Sequence, residues 1–213
     1  MAALITAATE GDLDECRRLY AENPCTCFEN DRLLLCGAAG GHIGVCKWVC
    51  AIAGAWFLNA RVRDNYALRH AAAYGHLDMC RWLHATFHLT TKDVRARDNY
   101  ALRYAARRGH LGVCKWLHAT FHLTAADARS NDNYALRWAA GNGHLGVCRW
   151  LHATYGLTAA DASAVGNQAL WGAVRNGHLN VCQWLRATFG FTVAEWEATS
   201  ATPLVGTWIA SLA

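Results

Sequence analysis

Apolar positions in this chain recur with two interlocked periods. The short period is three to four residues. In the segment 99–122, Leu102, Ala105 and Ala106 line one side of a first helix, and Leu111, Cys114, Leu117 and Phe121 share one face of a second. Val113 and Trp116 add another apolar stripe to that second helix. A helix that is apolar on two faces is one sandwiched between neighbours. Gly109 separates the two helices, where a helix end needs a left-handed residue that glycine supplies without a Cβ clash. Asn99 precedes the first helix and is expected to cap it through its side-chain oxygen.

The long period is 34 residues. A Gly-His pair begins at Gly41, Gly75, Gly109, Gly143 and Gly177. Cysteine keeps the same step at Cys46, Cys80, Cys114, Cys148 and Cys182, as does tryptophan at Trp48, Trp82, Trp116, Trp150 and Trp184. So does leucine, at Leu34, Leu68, Leu102, Leu136, Leu170 and Leu204. Residue types recurring in phase define a stack of supersecondary units, each burying its face against the next. The boundaries are a capping unit at 1–30, repeats at 31–64, 65–98, 99–132, 133–166 and 167–200, and a closing half-repeat at 201–213, all in one domain. In the capping unit Glu15 and Arg18 replace the Val and Trp of later units, so that stripe should face solvent there. In later units the same stripe, Met79 and Trp82 among it, should face the preceding unit. At the other end Thr202 should cap a helix starting at Pro203, with Trp208, Ile209 and Leu212 closing the stack.

The connecting segments read Thr90–Asp93, Thr124–Asp127, Thr158–Asp161 and Thr192–Glu195. Thr-x-x-Asp/Glu is a capping-box pattern, so each connection should hold a short third helical turn. The expected fold is all-α: helix-turn-helix units with one extra helical turn per loop.

Composition changes this picture little. The chain has 213 residues, 54% hydrophobic, with a net charge of +4, a mild basic bias that does not itself call for nucleic acid. The first fifteen residues lack a basic region, so no secretion signal is expected. The apolar stretch Leu33–Leu58 is interrupted by Gly40, Gly41 and His42, which argues against a membrane span. The ten cysteines are then expected to be reduced thiols of an intracellular protein. The 34-residue cysteine ladder should stay unbridged, since stacked helices stand ~8–10 Å apart and a disulfide needs Cα atoms within ~7 Å.

Candidate chemistry is sparse. Cys80, His84 and His88 share a helix face, as do Cys114, His118 and His122, and could be metal ligands. The second histidine becomes Gly156 in the next copy, and three ligands on one helix do not close a tetrahedral site, so no metal is assigned. Cys25 and Cys27 with Cys50 leave a second weak candidate near the N-terminus. The five Gly-His histidines are spread along the stack and read as structural, bonding backbone at the turns. No phosphate-binding loop, nucleophile elbow or paired-carboxylate motif is present. The chain is expected not to be an enzyme and to need no cofactor.

The run A-A-x-x-G-H-L-x-V-C-K-W-L resembles the corresponding run of ankyrin repeats, and the resemblance covers nearly the whole chain. It departs at the usual T-P-L-H opening, which is Tyr66-Ala67-Leu68-Arg69 and its copies here. It departs again in the 34-residue length, which resembles repeats expanded in large DNA viruses and some microbial eukaryotes. The resemblance implies a solenoid that binds a protein partner on a concave face made by loop tips and first helices. On this sequence that face maps to Arg63, Tyr66, Tyr74, Arg97, Tyr100, Arg107, Arg108, Asn131, Tyr134, Asn142, Gln168, Arg175 and Asn176. Arg107 and Arg108 differ from the copies Ala73-Tyr74 and Gly141-Asn142, so packing should not dictate them, and reversing both charges should leave folding intact. The expected protein is a monomer meeting an acidic protein surface. Two other readings stay open: RNA or DNA binding through the Arg-rich units, and a structural spacer in a larger assembly.

Overall fold

A computed structural model describes residues 1–24, 27–54 and 58–192, with the backbone alone at 27–29. Every regular element among them is a helix, fifteen in all. The chain divides into two compact units, Met1–Ala101 and Leu102–Ala213. Cys25, part of the Thr192–Glu195 connection and the closing half-repeat lie outside the described residues.

The first unit opens with α1 (Ala2–Glu10) and α2 (Leu13–Glu22). Then come α3 (Cys27–Ala39) with α4 (Ile43–Ala53), and α5 (Val62–Ala73) with α6 (Leu77–Phe87) and the single turn α7 (Thr91–Val94). Helix α8 (Ala96–Arg107) contains the division. The second unit continues with α9 (Leu111–Phe121), α10 (Ala125–Ala128), α11 (Ser130–Gly141), α12 (Leu145–Tyr155), α13 (Ala159–Ala162), α14 (Ala164–Arg175) and α15 (Leu179–Phe189). First helices pack on first helices, α1 on α3, α3 on α5, and α11 on α14, while α12 packs on α9 and α15.

The cores follow the pattern read from the sequence. Leu68, Met79, Cys80 and Leu83 are buried in the first unit. Leu102, Cys114, Leu117, Leu136, Cys148, Leu151, Leu170 and Cys182 are buried in the second. All five ladder cysteines are unbridged. Three tryptophans of the stripe face the preceding repeat: Trp48 meets Tyr20 at 5.4 Å, Trp150 meets His118 at 6.1 Å, and Trp184 meets His152 at 6.1 Å. Trp82 closes edge-on against Phe87 of its own helix. In α2, Arg18 instead bridges Glu15 and Glu22 at the exposed surface.

The third turns α7, α10 and α13 form as expected, each with a capping box. In α13 the Asp161 carboxylate accepts from the Thr158 N–H (2.8 Å) and hydroxyl (3.1 Å). It also takes both arms of Arg129, at 2.8 and 3.0 Å. Asp93 takes both arms of Arg61 at 3.0 and 3.2 Å. These bidentate pairs tie successive connections together through geometry that only guanidinium offers.

Asn99 does not cap its helix. Arg97, Asp98 and Asn99 all adopt left-handed angles (φ 52, 55 and 58). So do Arg63–Asn65 and Asn131–Asn133 at the equivalent places. The Oδ1 atoms of Asn65, Asn99 and Asn133 are buried without a protein hydrogen bond. Three consecutive left-handed residues cost ~1–2 kcal/mol each, so another group must hold them. In the repeats of Asn65 and Asn133 that group is the arginine four residues after the asparagine. Arg69 donates to the carbonyls of Asp64 (2.6 Å) and Arg63 (2.8 Å). Arg137 donates to those of Asp132 (2.5 Å) and Asn131 (2.9 Å). In the sixth unit Trp171 occupies the arginine position, and the left-handed residues are Val165, Gly166 and Asn167.

His42, His76 and His144 each bond the turn before their own. His42 Nε2 meets the Thr9 carbonyl at 2.9 Å, and His144 bonds the Arg107 carbonyl. Burial lowers the pKa of His76 and His144 from 6.5. The unfolded chain therefore takes up protons first as pH falls below about 6.5, and stability is lost downward from there. The Arg129 partnership draws Asp161 from 3.8 to about 2, so its contribution is complete above about 4 and disappears toward 2. Urea midpoints measured from pH 8 to pH 3 should fall in two stages, the second smaller in Asp161→Asn. A flat profile between pH 8 and pH 4.5 would show that the histidines are not held neutral by the fold.

Candidate functional site

In the first unit the expected interface residues are occupied by one another. The ring of Tyr66 stacks on His70 at 3.8 Å, and His70 also lies 5.8 Å from Tyr100 and 6.1 Å from Tyr74. Arg69 covers the Tyr100 ring at 4.7 Å. Arg97 is paired with Asp64 at 2.8 Å, and Arg63 is exposed with its carbonyl held by Arg69. A cleft of about 680 Å³ opens beside the loops, lined by Arg61, Lys92 and Arg97 against Asp64 and Asp93. Most of that charge is already paired.

The second unit presents a different surface. Its first-helix stretches 102–108, 134–142 and 168–176 hold Arg103, Arg107, Arg108, Arg137 and Arg175 and no acidic residue. Arg103 lies over Tyr134 at 4.8 Å, Arg107 over Trp138 at 4.5 Å, and Arg175 over Trp171 at 4.9 Å. Arg107 also donates to the Tyr134 hydroxyl at 2.9 Å. Burial and a hydrogen bond with Tyr104 raise the Tyr134 pKa, so this phenol is a neutral acceptor. Arg107 is therefore part of the packing, which corrects the expectation that its charge could be reversed without cost. Arg108 is exposed.

Asn142 and Asn176 are also less free than expected. Asn142 Nδ2 donates to the Arg107 carbonyl at 2.8 Å, and Asn176 Nδ2 donates to the Gly141 carbonyl at 2.7 Å. Gln168 accepts from the Arg137 guanidinium, and Asn131 is an exposed left-handed residue whose carbonyl Arg137 holds. Between α11 and α14 the backbones come close enough that a Cβ on Gly172 would lie 2.9 Å from Gly141 Cα. A cleft of about 70 Å³ opens there, walled by Trp138 and Trp171.

His84, His118, Cys80 and Cys114, weighed as metal ligands, have structural partners or are buried in the core. His84 Nδ1 meets the Leu89 carbonyl at 3.0 Å, His118 meets Leu123 at 3.0 Å, and His152 meets Leu157 at 2.8 Å. Cys80 and Cys114 are fully buried, and burial raises their pKa to about 12. Cys25 and the Cys27 side chain lie outside the described residues. No helix among the described residues is long and apolar enough to cross a membrane.

These features define a helical repeat protein with a polar, aromatic first-helix surface. Profiles for ankyrin repeats match twice, at residues 102–193 (three copies) and 68–118 (many copies), together spanning more than half of the chain. The chain belongs to the ankyrin repeat family, whose members are generally protein-interaction modules and typically non-enzymatic scaffolds. Among solved structures, an ankyrin repeat family protein from Legionella pneumophila matches with a TM-score of 0.47 and 19% identity, covering 94% of this chain and 71% of that one. No curated protein matches significantly.

Proposed function

We propose that this protein captures an acidic partner protein through the first-helix face of its second unit, without catalysis. The observation that carries this reading is the charge left outside the core there: Arg107 and Arg175 stand over tryptophan rings, on stretches 102–108, 134–142 and 168–176 that contain no acidic residue. Arginine beside tyrosine and tryptophan is the composition that anchors protein interfaces. The Tyr66–Tyr100 face of the first unit is the weaker candidate, because its rings and its Arg97 are already engaged.

The test uses the intact chain to capture its partner from host-cell extract, followed by binding kinetics with purified material. Charge reversal at Arg108 or Arg175 should slow association several-fold, because charge complementarity acts on encounter rates. The melting temperature should move little, since exposed charges usually contribute under ~0.5 kcal/mol. Arg149→Glu, on the exposed side of α12, should leave association unchanged. Equal effects from all three reversals would remove the first-helix face from the interface. An affinity falling steeply with salt and abolished by nuclease treatment would favour the nucleic-acid reading instead.

A further inference from the structure

We propose that Arg107 and Arg175 are a matched pair of carboxylate receptors, which select partner segments carrying two acidic side chains about three to six extended residues apart. The inference rests on the reading of an acidic partner and adds the geometry of recognition.

The two arginines share a construction. Each guanidinium lies over a tryptophan ring, Arg107 on Trp138 at 4.5 Å and Arg175 on Trp171 at 4.9 Å. Neither has a carboxylate partner among the described residues. Stacking fixes the plane of a guanidinium and leaves N–H edges for a ligand, and that fork matches a carboxylate in bidentate geometry. The Tyr134 hydroxyl further fixes Arg107 without neutralising it. Preorganisation of this kind lowers the ordering cost of binding.

The same stacking argues against nucleobases as the ligand. Each tryptophan already has a guanidinium over one face. The amide nitrogens of Asn142 and Asn176 are spent on backbone carbonyls. What the surface offers is cation edges, with few open rings or base-reading donors.

Spacing follows from the fold. Arg107 reaches from α8 onto Trp138 of α11, whereas Arg175 stays over Trp171 of its own α14, so with packed helices ~8–10 Å apart the two guanidinium groups stand one to two helix spacings, ~8–20 Å, from each other. An extended chain rises ~3.3 Å per residue, so ~3–6 residues bridge them. Between them, the 70 Å³ cleft over Gly141 and Gly172 has room for a small aliphatic group of the bound segment.

The experiment measures binding of fluorescent synthetic peptides to the full chain. Each peptide carries two glutamates in a Gly/Ser background, with a valine midway and the separation varied from two to twelve residues. The tightest binding is expected at a separation between three and six. Arg107→Gln and Arg175→Gln should each weaken that peptide about tenfold, the scale of one charge-assisted contact, and flatten the dependence on separation. Arg175 is exposed, so its variant tests the idea even if Arg107→Gln unfolds the protein, which circular dichroism reports. Affinity that tracks the number of glutamates and ignores their separation would overturn the paired-receptor inference while keeping the acidic-partner reading. No binding by any acidic peptide, with binding of a single-stranded oligopyrimidine, would overturn both.

Discussion

Replacing Arg137 by methionine is expected to cost about 3 kcal/mol of stability. The substitution keeps much of the buried aliphatic stem but removes the donors to the Asp132 and Asn131 carbonyls. Hydrogen bonds from a charged donor contribute ~1.5–3 kcal/mol, and here they hold three left-handed residues that are each unfavourable alone. The side chain is 7% exposed, so water does not readily replace the lost contacts. Urea unfolding of Arg137→Met beside Arg149→Met measures this, the second being an exposed control expected to change stability by under ~0.5 kcal/mol. If the two variants lose the same amount, the left-handed segment does not depend on its arginine.

Gly109→Ala is the second large effect, about 4 kcal/mol. Gly109 has φ +81, where a Cβ is strained, and that Cβ would lie 2.6 Å from Nδ1 of His144. The ring cannot simply swing aside, because its hydrogen bond to the Arg107 carbonyl would be lost. A double-mutant cycle separates the two causes. In a His144→Ala background the glycine substitution should cost only its backbone part, ~1–2 kcal/mol, leaving a coupling of about 2 kcal/mol. Equal costs in both backgrounds would mean that the histidine ring is not what requires glycine at this turn.

Both predictions involve residues that recur at the 34-residue step, and that recurrence marks where sequence reasoning succeeded and where it misassigned. Arg69, Arg103 and Arg137 recur in phase with the core leucines, as do Arg61, Arg95 and Arg129, and Asp93, Asp127 and Asp161. A charged residue repeated in phase with the core is a packing residue. By the same logic Tyr66, Tyr100 and Tyr134 belong with the packing, because they too recur. Tyr100 and Tyr134 lie under the arginines of the preceding unit. Arg107 and Arg175 do not recur at their neighbours' equivalent positions, so recurrence alone would have left them on the candidate surface.

The sequence by itself determined the helical class and the third turns, along with the glycine at the Gly-His turns and the direction of Trp48, Trp150 and Trp184. Those properties follow from local periodicity, capping chemistry and the repeat of one unit on the next, all of which are written in spacing. Tertiary structure alone decided that the asparagine cap is a left-handed segment held by arginine, and that Asn142 and Asn176 donate to the preceding turn. It also decided that Arg107 rests on Trp138. The first sets dihedral angles against local preference, which a periodic pattern does not carry; the others join residues roughly 30 or more apart, so the energy that selects them comes from a partner that no local window contains.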